Sequence, residues 1–469
     1  MREDPNTPMR AGARRLDDGR VLHLVRAVRR LPGKREVWRG ELEGRPVFAK
    51  FYLDAGRGKT HWQRELDGLA AFRERGIPTA ELAYAGELEG GGWPVIVLAQ
   101  LPQPLSLKEA WDQGDAASRE RLLREMTALL ARHHRAGICQ TDLHLGNFVV
   151  SNHEIHSLDG DGVRAVKGEL AQEASLDNLA LFLAQLPPEW ASRAPALYDL
   201  YLTARGWARG PGGGDLRRRV EQRREKRWEE RRRKLLRECT AFVCRKTAER
   251  LEVIARADAG PDLDALLADP DASFPGKDQA LKNGNTCTVW AAQAGGLRLV
   301  IKRYNVKGLW HGIKLSTRAG RAFISWENAH RLLFHGIATP RPVAVVKIRR
   351  GPLRPVAYFL AEEVKGVGAH HWFRDAGISG GEKTRMADRI AGLFRQLEDQ
   401  RISHGDMKAS NILIVGNEPM LIDLDAMQRH STEASFKKAW ERDLRRFMRN
   451  WDDEPELQTL FSGLLQSAL

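Results

Sequence analysis

The sequence predicts an α+β chain in which one fold occurs twice in tandem, each copy a small β-rich N-lobe followed by a helical C-lobe. Two observations carry this. An acid–amide–acid layout recurs at fixed spacing: Asp142, Asn147 and Asp159 in the first half, Asp406, Asn411 and Asp423 in the second, with steps of five and twelve residues in both. Each half also ends an apolar run in a lysine, Lys50 or Lys302, thirteen residues after a Val-Trp pair, Val37-Trp38 or Val289-Trp290. One Asp-x4-Asn is weak evidence, whereas its recurrence with equal downstream spacing points to internal duplication. A length of 469 residues gives room for two to three domains.

The elements follow in chain order. Residues 1–20 read as a charged N-terminal extension without the apolar stretch of a secretory leader. Residues 21–210 form the first copy: a β-rich lobe to about residue 100, a helical stretch at 105–137, the Asp142 loop, the strand Phe148-Val149-Val150 leading on to Asp159, and helices over 165–205. Residues 211–250 are a basic helical segment, 251–276 a linker marked by Gly260-Pro261, and 277–469 the second copy. In each copy the lysine precedes a helix that ends in a turn, Gly76-Ile77-Pro78-Thr79 or Gly336-Ile337-Ala338-Thr339. That helix should offer the lysine an acid. Glu327 is the choice in the second copy; in the first, Glu65 has the reach, but ungapped alignment on the turn puts Asp67 opposite Glu327. The second copy carries an insertion, 305–321, with Lys307, His311, Lys314, Arg318 and Arg321.

Composition narrows the class. Hydrophobic residues make up 42% and charged residues 29%, as expected of a globular chain. Four cysteines fit neither a zinc spacing nor a disulfide framework, which points to a reducing, cytoplasmic compartment. The longest apolar runs have the length of strands, far short of a membrane span. Of the net charge of +14, +8 falls between Leu216 and Arg237, where twelve Lys/Arg face four Glu. Read as a solvated helix, this segment needs no partner. Read functionally, it is a cationic face for an anionic membrane surface, adhering by charge because only Val220, Trp228, Leu235 and Leu236 interrupt it. No nucleic-acid motif accompanies the charge, so nucleic acid is not an expected partner.

The repeated layout is similar to that of protein-kinase-like enzymes, in which the first Asp orients the acceptor hydroxyl, the Asn holds Mg²⁺, the later Asp holds Mg²⁺ on the ATP phosphates, and the strand lysine meets those phosphates. By that likeness Asp142 and Asp406 are the catalytic residues, with Lys408 neutralising the transferring phosphoryl group. Asn147, Asp159, Asn411 and Asp423 are the metal ligands. Lys50, Glu65, Lys302 and Glu327 belong to ATP binding, with Gly33 and Gly284 in phosphate-covering loops that hold one glycine where a protein kinase has three. Asp161 and Asp425 are further metal candidates, and Asp177 and Asp443 match the helix acid that braces the catalytic loop.

More closely, the chain resembles the lipopolysaccharide core kinase family, which phosphorylates heptose or Kdo sugars. The resemblance rests on Gly76 to Thr79, Thr141 to Phe148, Trp326-Glu327-Asn328, Thr339 to Pro342, His404 to Ile412 and Leu421 to Asp425. It implies ATP and Mg²⁺ as cofactors, a lipopolysaccharide core glycolipid as substrate, and a place on the inner face of the inner membrane. Some heptose kinases of the family carry His where this chain has Asn147 and Asn411. Only eighteen to twenty residues separate Asp159 from Asp177 and Asp423 from Asp443, too few for a protein kinase's activation segment. The acceptor is therefore read as a sugar rather than a peptide. Two readings stand beside this one: a small-molecule phosphotransferase, and a tandem protein in which one copy is an inactive scaffold.

Overall fold

The structure, a computed structural model, describes residues 9–90, 92–186, 190, 193–207, 213–284, 287–304, 320–349 and 355–465. It divides into two compact units, residues 1–225 and 226–469.

The first unit opens with a six-stranded antiparallel sheet of order β1-β2-β3-β4-β6-β5, built from β1 (Gly12–Arg15), β2 (Val21–Leu31), β3 (Arg35–Leu42), β4 (Arg45–Tyr52), β5 (Leu82–Glu87) and β6 (Pro94–Ala99). Alternation along β4 sends Val47, Ala49 and Phe51 into one apolar cluster, leaving Lys50 and Tyr52 for the opposite face. On that face Tyr52 packs with Leu69 of α1 (Gly58–Glu74). A helical lobe follows, with α2 (Leu107–Gln113), α3 (Ala116–Arg135), α4 (Gln172–Leu183) and α5 (Ala194–Arg205) around Leu123, Met126, Leu130, Leu176 and Leu179. The helix α2 starts where it does because Ser106 and Glu109 form a reciprocal capping box.

Next comes α6 (Gly213–Arg232), the basic segment. It has an apolar stripe after all. Leu216 and Val220 join the core of the first unit and Trp228 a cluster of the second, and Arg224, at the intervening position of this four-residue spacing, is buried and donates to the Leu186 carbonyl. Arg219 and Arg223 pair with Asp177. The expectation of a helix without an apolar side fails because this period includes an arginine.

The second unit is built on a seven-stranded sheet, in the order Phe242–Lys246, Arg250–Ala255, Pro342–Arg349, Pro355–Glu362, Leu297–Tyr304, Cys287–Ala294 and Lys282–Asn283. Two of its strands and the helix α7 (Pro261–Ala268), whose Leu263 and Leu267 enter the same core as Trp290 and Ile301, come from residues expected to be basic segment or linker. That expectation is corrected, as is the N-terminal extension, since β1 lies within residues 1–20 and pairs with β2. Then come α8 (Arg321–Phe334), α9 (Ala369–Arg374), α10 (Gly380–Asp399), α11 (Glu433–Met448) and α12 (Pro455–Leu465). Phe373, Phe394, Trp440, Phe447, Trp451 and Phe461 fill the helical core. Among the described residues no helix is long and apolar enough to cross a membrane. The insertion expected at 305–321 lies outside the described residues up to position 319.

Candidate active sites

The hairpin that carries each lysine sets its position. In the first unit Val37 is the cross-strand partner of Lys50, and in the second Val289 is the partner of Lys302. The thirteen-residue spacing thus becomes one register in both sheets, and it turns both ammonium groups to the helix side.

In the first unit Lys50 Nζ lies 2.8 Å from Glu65 Oε1 and 3.2 Å from Asp159 Oδ1. Asp67 points elsewhere and accepts from Gln63 at 2.8 Å. Glu65 is wholly buried, and burial together with the Asp159 charge raises its carboxyl above the usual range against the pull of Lys50. Asp159 moves the other way: burial opposes its ionisation, but Lys50 and a hydrogen bond with Glu65 hold it well below the usual carboxylate range. Two glycines let the helix come this close. A Cβ on Gly68 would stand 2.1 Å from the Gly160 carbonyl oxygen, and one on Gly160 would stand 2.3 Å from that of Glu65. The backbone amide of Asp161 donates to Glu65 at 3.2 Å, and the Asp161 carboxylate meets His61 at 2.8 Å. In the catalytic loop Asn147 Nδ2 donates to the Asp142 carbonyl at 2.9 Å. The Asp142 carboxylate is 65% exposed, with His144 at 3.7 Å. Gly33 forms the tight turn between β2 and β3 at φ 65°.

The second unit keeps the lysine and the loop but pairs them differently. Lys302 contacts Asp423 and lies 3.1 Å from Asp425, which Arg321 meets at 2.6 Å. Burial disfavours the Lys302 charge, yet Tyr304 and the two carboxylates raise its pKa above the ordinary lysine value. Glu327 does not pair with Lys302; it pairs with Arg331 one turn on, at 3.2 Å. The helix phase explains this correction. Eleven residues before the Gly-Ile turn stand Glu65 in one copy and Ser325 in the other, and nine before it stand Asp67 and Glu327. Two residues further on is about 200° around a helix, so the second pair faces away from the lysine. Ser325 faces inward and shares a 2.7 Å hydrogen bond with Tyr304. Where Gly68 meets Gly160 directly, Asn328 instead donates to the carbonyls of Leu424 at 2.9 Å and Met427 at 3.0 Å.

The second catalytic loop is the more firmly held. Asp443 on α11 accepts from the amides of His404 at 2.6 Å and Gly405 at 3.0 Å, and burial raises its carboxyl pKa against those bonds. His404 is buried, and its Nε2 bonds the Ile422 carbonyl oxygen at 2.9 Å. Gly405 has φ 79°, and a Cβ there would meet the Ala426 carbonyl oxygen at 2.6 Å. Asn411 Nδ2 donates to the Asp406 carbonyl at 2.8 Å, Lys408 lies 3.3 Å from Asp406 Oδ1, and Arg446 of α11 lies 2.5 Å from the same oxygen. Asp423 holds φ 63°, a left-handed conformation that asparagine and aspartate adopt more readily than other side chains. In the first unit Asp177 does not brace the loop, because it pairs with Arg219; its neighbour Asn178 does so, donating to the Gln140 carbonyl at 2.8 Å. Gly284 accompanies a short strand pair, its amide donating to the Cys287 carbonyl, and residues 285 and 286 of that loop lie outside the described residues.

Both sites suit a hard divalent cation held beside phosphates. Each offers one carboxylate (Asp159, Asp423) and one carboxamide (Asn147, Asn411) whose nitrogen is engaged with the loop carbonyl, so that its oxygen is presented to a ligand. Oxygen donors of this type and low number match Mg²⁺, which keeps waters and takes phosphate oxygens. The reading from sequence missed Ser325, Asn178, Arg446 and the Asp425–Lys302 pair; counting back from the Gly-Ile turn at residue level would have found the first.

A family model described as the lipopolysaccharide kinase (Kdo/WaaP) family matches residues 20–170 and 278–460, one segment in each unit. None of the curated proteins with which the chain was compared matches it. Among solved structures it is similar to WaaP in complex with acyl carrier protein, at 17% identity over 43% of this chain and 89% of that one, with a TM-score of 0.32. It is also similar to the Mycobacterium tuberculosis PknI kinase domain, at 15% identity over 46% of this chain and 100% of that one, with a TM-score of 0.30.

Proposed function

The chain belongs to the lipopolysaccharide kinase (Kdo/WaaP) family, and from that premise we propose that each unit transfers the terminal phosphoryl group of ATP to a hydroxyl of an inner-core sugar, heptose being the acceptor we favour. The observation that carries the reading is the convergence, in both units, of a strand lysine on the later Asp of the motif, partly buried Lys50 on Asp159 and buried Lys302 on Asp423. Both hairpins set the lysine by the same register, Val37 opposite Lys50 and Val289 opposite Lys302.

In this reading Lys50 and Lys302 exchange Asp159 and Asp423 for ATP phosphate oxygens, with Glu65 and Asp425 keeping them oriented. Asn147 with Asp159, and Asn411 with Asp423, would hold Mg²⁺, which when bound neutralises charge developing between the phosphates. Asp142 and Asp406 accept a hydrogen bond from the acceptor hydroxyl, aim its oxygen at the terminal phosphorus and take its proton as the new O–P bond forms and the bond from that phosphorus to the bridging oxygen breaks, releasing ADP. Lys408 stands on the acceptor side of the second unit, where His144 stands in the first.

The test is purified protein, ATP and defined core oligosaccharides, with phosphorylated products read by mass spectrometry. Asp406→Asn should remove the product of the second unit and Asp142→Asn that of the first, each leaving the other. If Asp142→Asn changes no product while Asp406→Asn abolishes all, the two-site reading fails and the first unit is a scaffold. If no core sugar is phosphorylated while a small-molecule alcohol is, the acceptor class is wrong.

The basic segment supports a peripheral role at an anionic surface in this reading, with narrower means than its composition suggests. Its exposed bases are Arg217, Arg218, Lys226, Arg231 to Lys234 and Arg237, whereas Arg219, Arg223 and Arg224 are engaged within the first unit.

A further inference from the structure

One arginine beside the second loop has no role in the reaction as described. Arg446 lies on α11 three residues after Asp443, so the helix turns both side chains to the loop: Asp443 to its backbone, Arg446 to the carboxylate of Asp406 at 2.5 Å. This is no buried brace, for the Arg446 side chain is 45% exposed, and Lys408, on the same Asp406 oxygen, is 43% exposed. Among the described residues the guanidinium makes no other ion pair, which leaves most of its donor fork facing outward. Arg446 also belongs to a line. Lys438 and Arg442 stand eight and four residues before it on the same helix face, and Arg449 three residues after it, just past the end of α11; all are exposed, and none forms an ion pair among the described residues. The corresponding helix of the first unit, α4, contains neither Lys nor Arg.

A cation resting on the Asp406 carboxylate occupies the oxygen that the acceptor hydroxyl must reach, so an arrangement that leaves it there works against the reaction. It works for the reaction when the acceptor itself draws the cation away. Resting on the assignment of Asp406 as the base, we propose that Arg446 binds a second anionic group carried by the acceptor, a phosphate or carboxylate near the reacting hydroxyl, with Arg442 continuing the contact along α11. The second unit therefore selects an acceptor that is already anionic, and the first does not. A planar fork of donors suits the two or three oxygens of such a group, and transferring Arg446 to it frees the Asp406 carboxylate for the hydroxyl.

The experiment uses the full chain with Asp142→Asn, so that only the second unit turns over, and three acceptors: a heptoside, the same heptoside bearing a phosphate monoester, and the same heptoside bearing a carboxymethyl group. The ratio of kcat/KM for each anionic acceptor to that for the neutral one is compared between this protein and the same protein with Arg446→Gln or Arg442→Gln. The loss of a hydrogen-bonded charge contact predicts a fall in that ratio of about 10- to 100-fold for Arg446→Gln, partly restored by Arg446→Lys and smaller for Arg442→Gln. The phosphate and carboxylate arms show which anion is preferred. A ratio that stays the same, whether all three acceptors are slowed equally or none is, overturns the proposal and leaves Arg446 a positioning residue for Asp406. Where turnover is too slow to measure, calorimetric binding of the same acceptors gives the ratio. Activity that survives Asp406→Asn in this background instead removes the assignment of the base, a result distinct from an unchanged ratio.

Discussion

Lys302 and Asp425 lie 3.1 Å apart, so the second unit takes its lysine's extra carboxylate from the loop that carries Asp423, whereas the first takes it from the helix at Glu65. The same charge balance is reached from two directions.

This asymmetry predicts unequal effects at positions that look alike in an alignment. Lys50→Met leaves the buried Glu65 beside Asp159 without their cation and should destabilise the first unit by about 3–5 kcal/mol, with loss of its turnover. Glu327→Gln removes the pair that half-exposed Glu327 makes with buried Arg331 while keeping a side-chain oxygen that accepts a hydrogen bond, and should cost about 1 kcal/mol, with turnover of the second unit within about twofold. Thermal unfolding and single-site kinetics in the Asp142→Asn or Asp406→Asn background read both.

Close backbone approach predicts a second difference. Gly68→Ala places a methyl group against the Gly160 backbone and should push α1 off the Asp159 loop, costing about 1–3 kcal/mol and raising the KM for ATP in the first unit. Asn328→Ala at the matching position removes two hydrogen bonds to loop carbonyls and should cost about 1–3 kcal/mol. Asn328→Gly should not repair it, since Leu424 stands where the first unit has Gly160.

Buried histidines set the acid limit. His134 bonds Tyr201 and Asn178, and burial lowers its pKa to about 4; burial likewise brings His133 to about 3. Because the unfolded chain protonates these rings near pH 6.5 and the folded one does not, the unfolded state binds more protons below that pH. The histidines' contribution to stability should thus be level above about pH 6.5 and fall as the pH drops toward 4, by up to about 1.4 kcal/mol per pH unit for each, with the raised Glu65 carboxyl acting in the opposite direction over part of that range. His134→Gln should make the fall shallower. An unfolding midpoint in denaturant whose change from pH 7 to 4.5 is the same in His134→Gln as in the parent protein would contradict this.

The basic segment yields a divided set of variants. Arg217, Arg218, Arg231 and Arg232 changed together to Gln should weaken salt-sensitive binding to anionic vesicles, at about 1 kcal/mol for each well-placed base, with ATP affinity retained. Arg224→Gln should act on stability instead, since its guanidinium is buried against the Leu186 carbonyl. Vesicle binding undiminished in the quadruple variant would make this helix a packing element alone.

How far the sequence could be read depends on what each position answers to. The strand lysines, the Asp and Asn of both loops, and the hairpins before them were legible because backbone register translates spacing directly into position, as Val37–Lys50 and Val289–Lys302 show. The partner of Lys302 was not legible, because a helix turns about 100° per residue and a choice two positions off reverses the face. The beginning of the second unit was missed because Phe242–Lys246 and Arg250–Ala255 are short strands beside a run of charge, and the pairing of Arg250–Ala255 with Pro342–Arg349, which ties this hairpin to the sheet, spans about a hundred residues. Arg446 was invisible for a similar reason: nothing local links it to Asp406, forty residues earlier.

The hairpin register also constrains how the two halves can diverge. A single residue gained or lost between Val289 and Lys302 would turn the ammonium to the far side of the sheet, whereas any number added after the strand leaves its aim intact. The two halves agree with this: the lysine-to-aspartate interval is 92 residues in one and 104 in the other, yet the valine-to-lysine interval is thirteen in both. Strand parity thus predicts that a relative whose paired strands differ in length by an odd number has no lysine facing the helix side in that half, while one with a longer or shorter stretch beyond the strand can keep it.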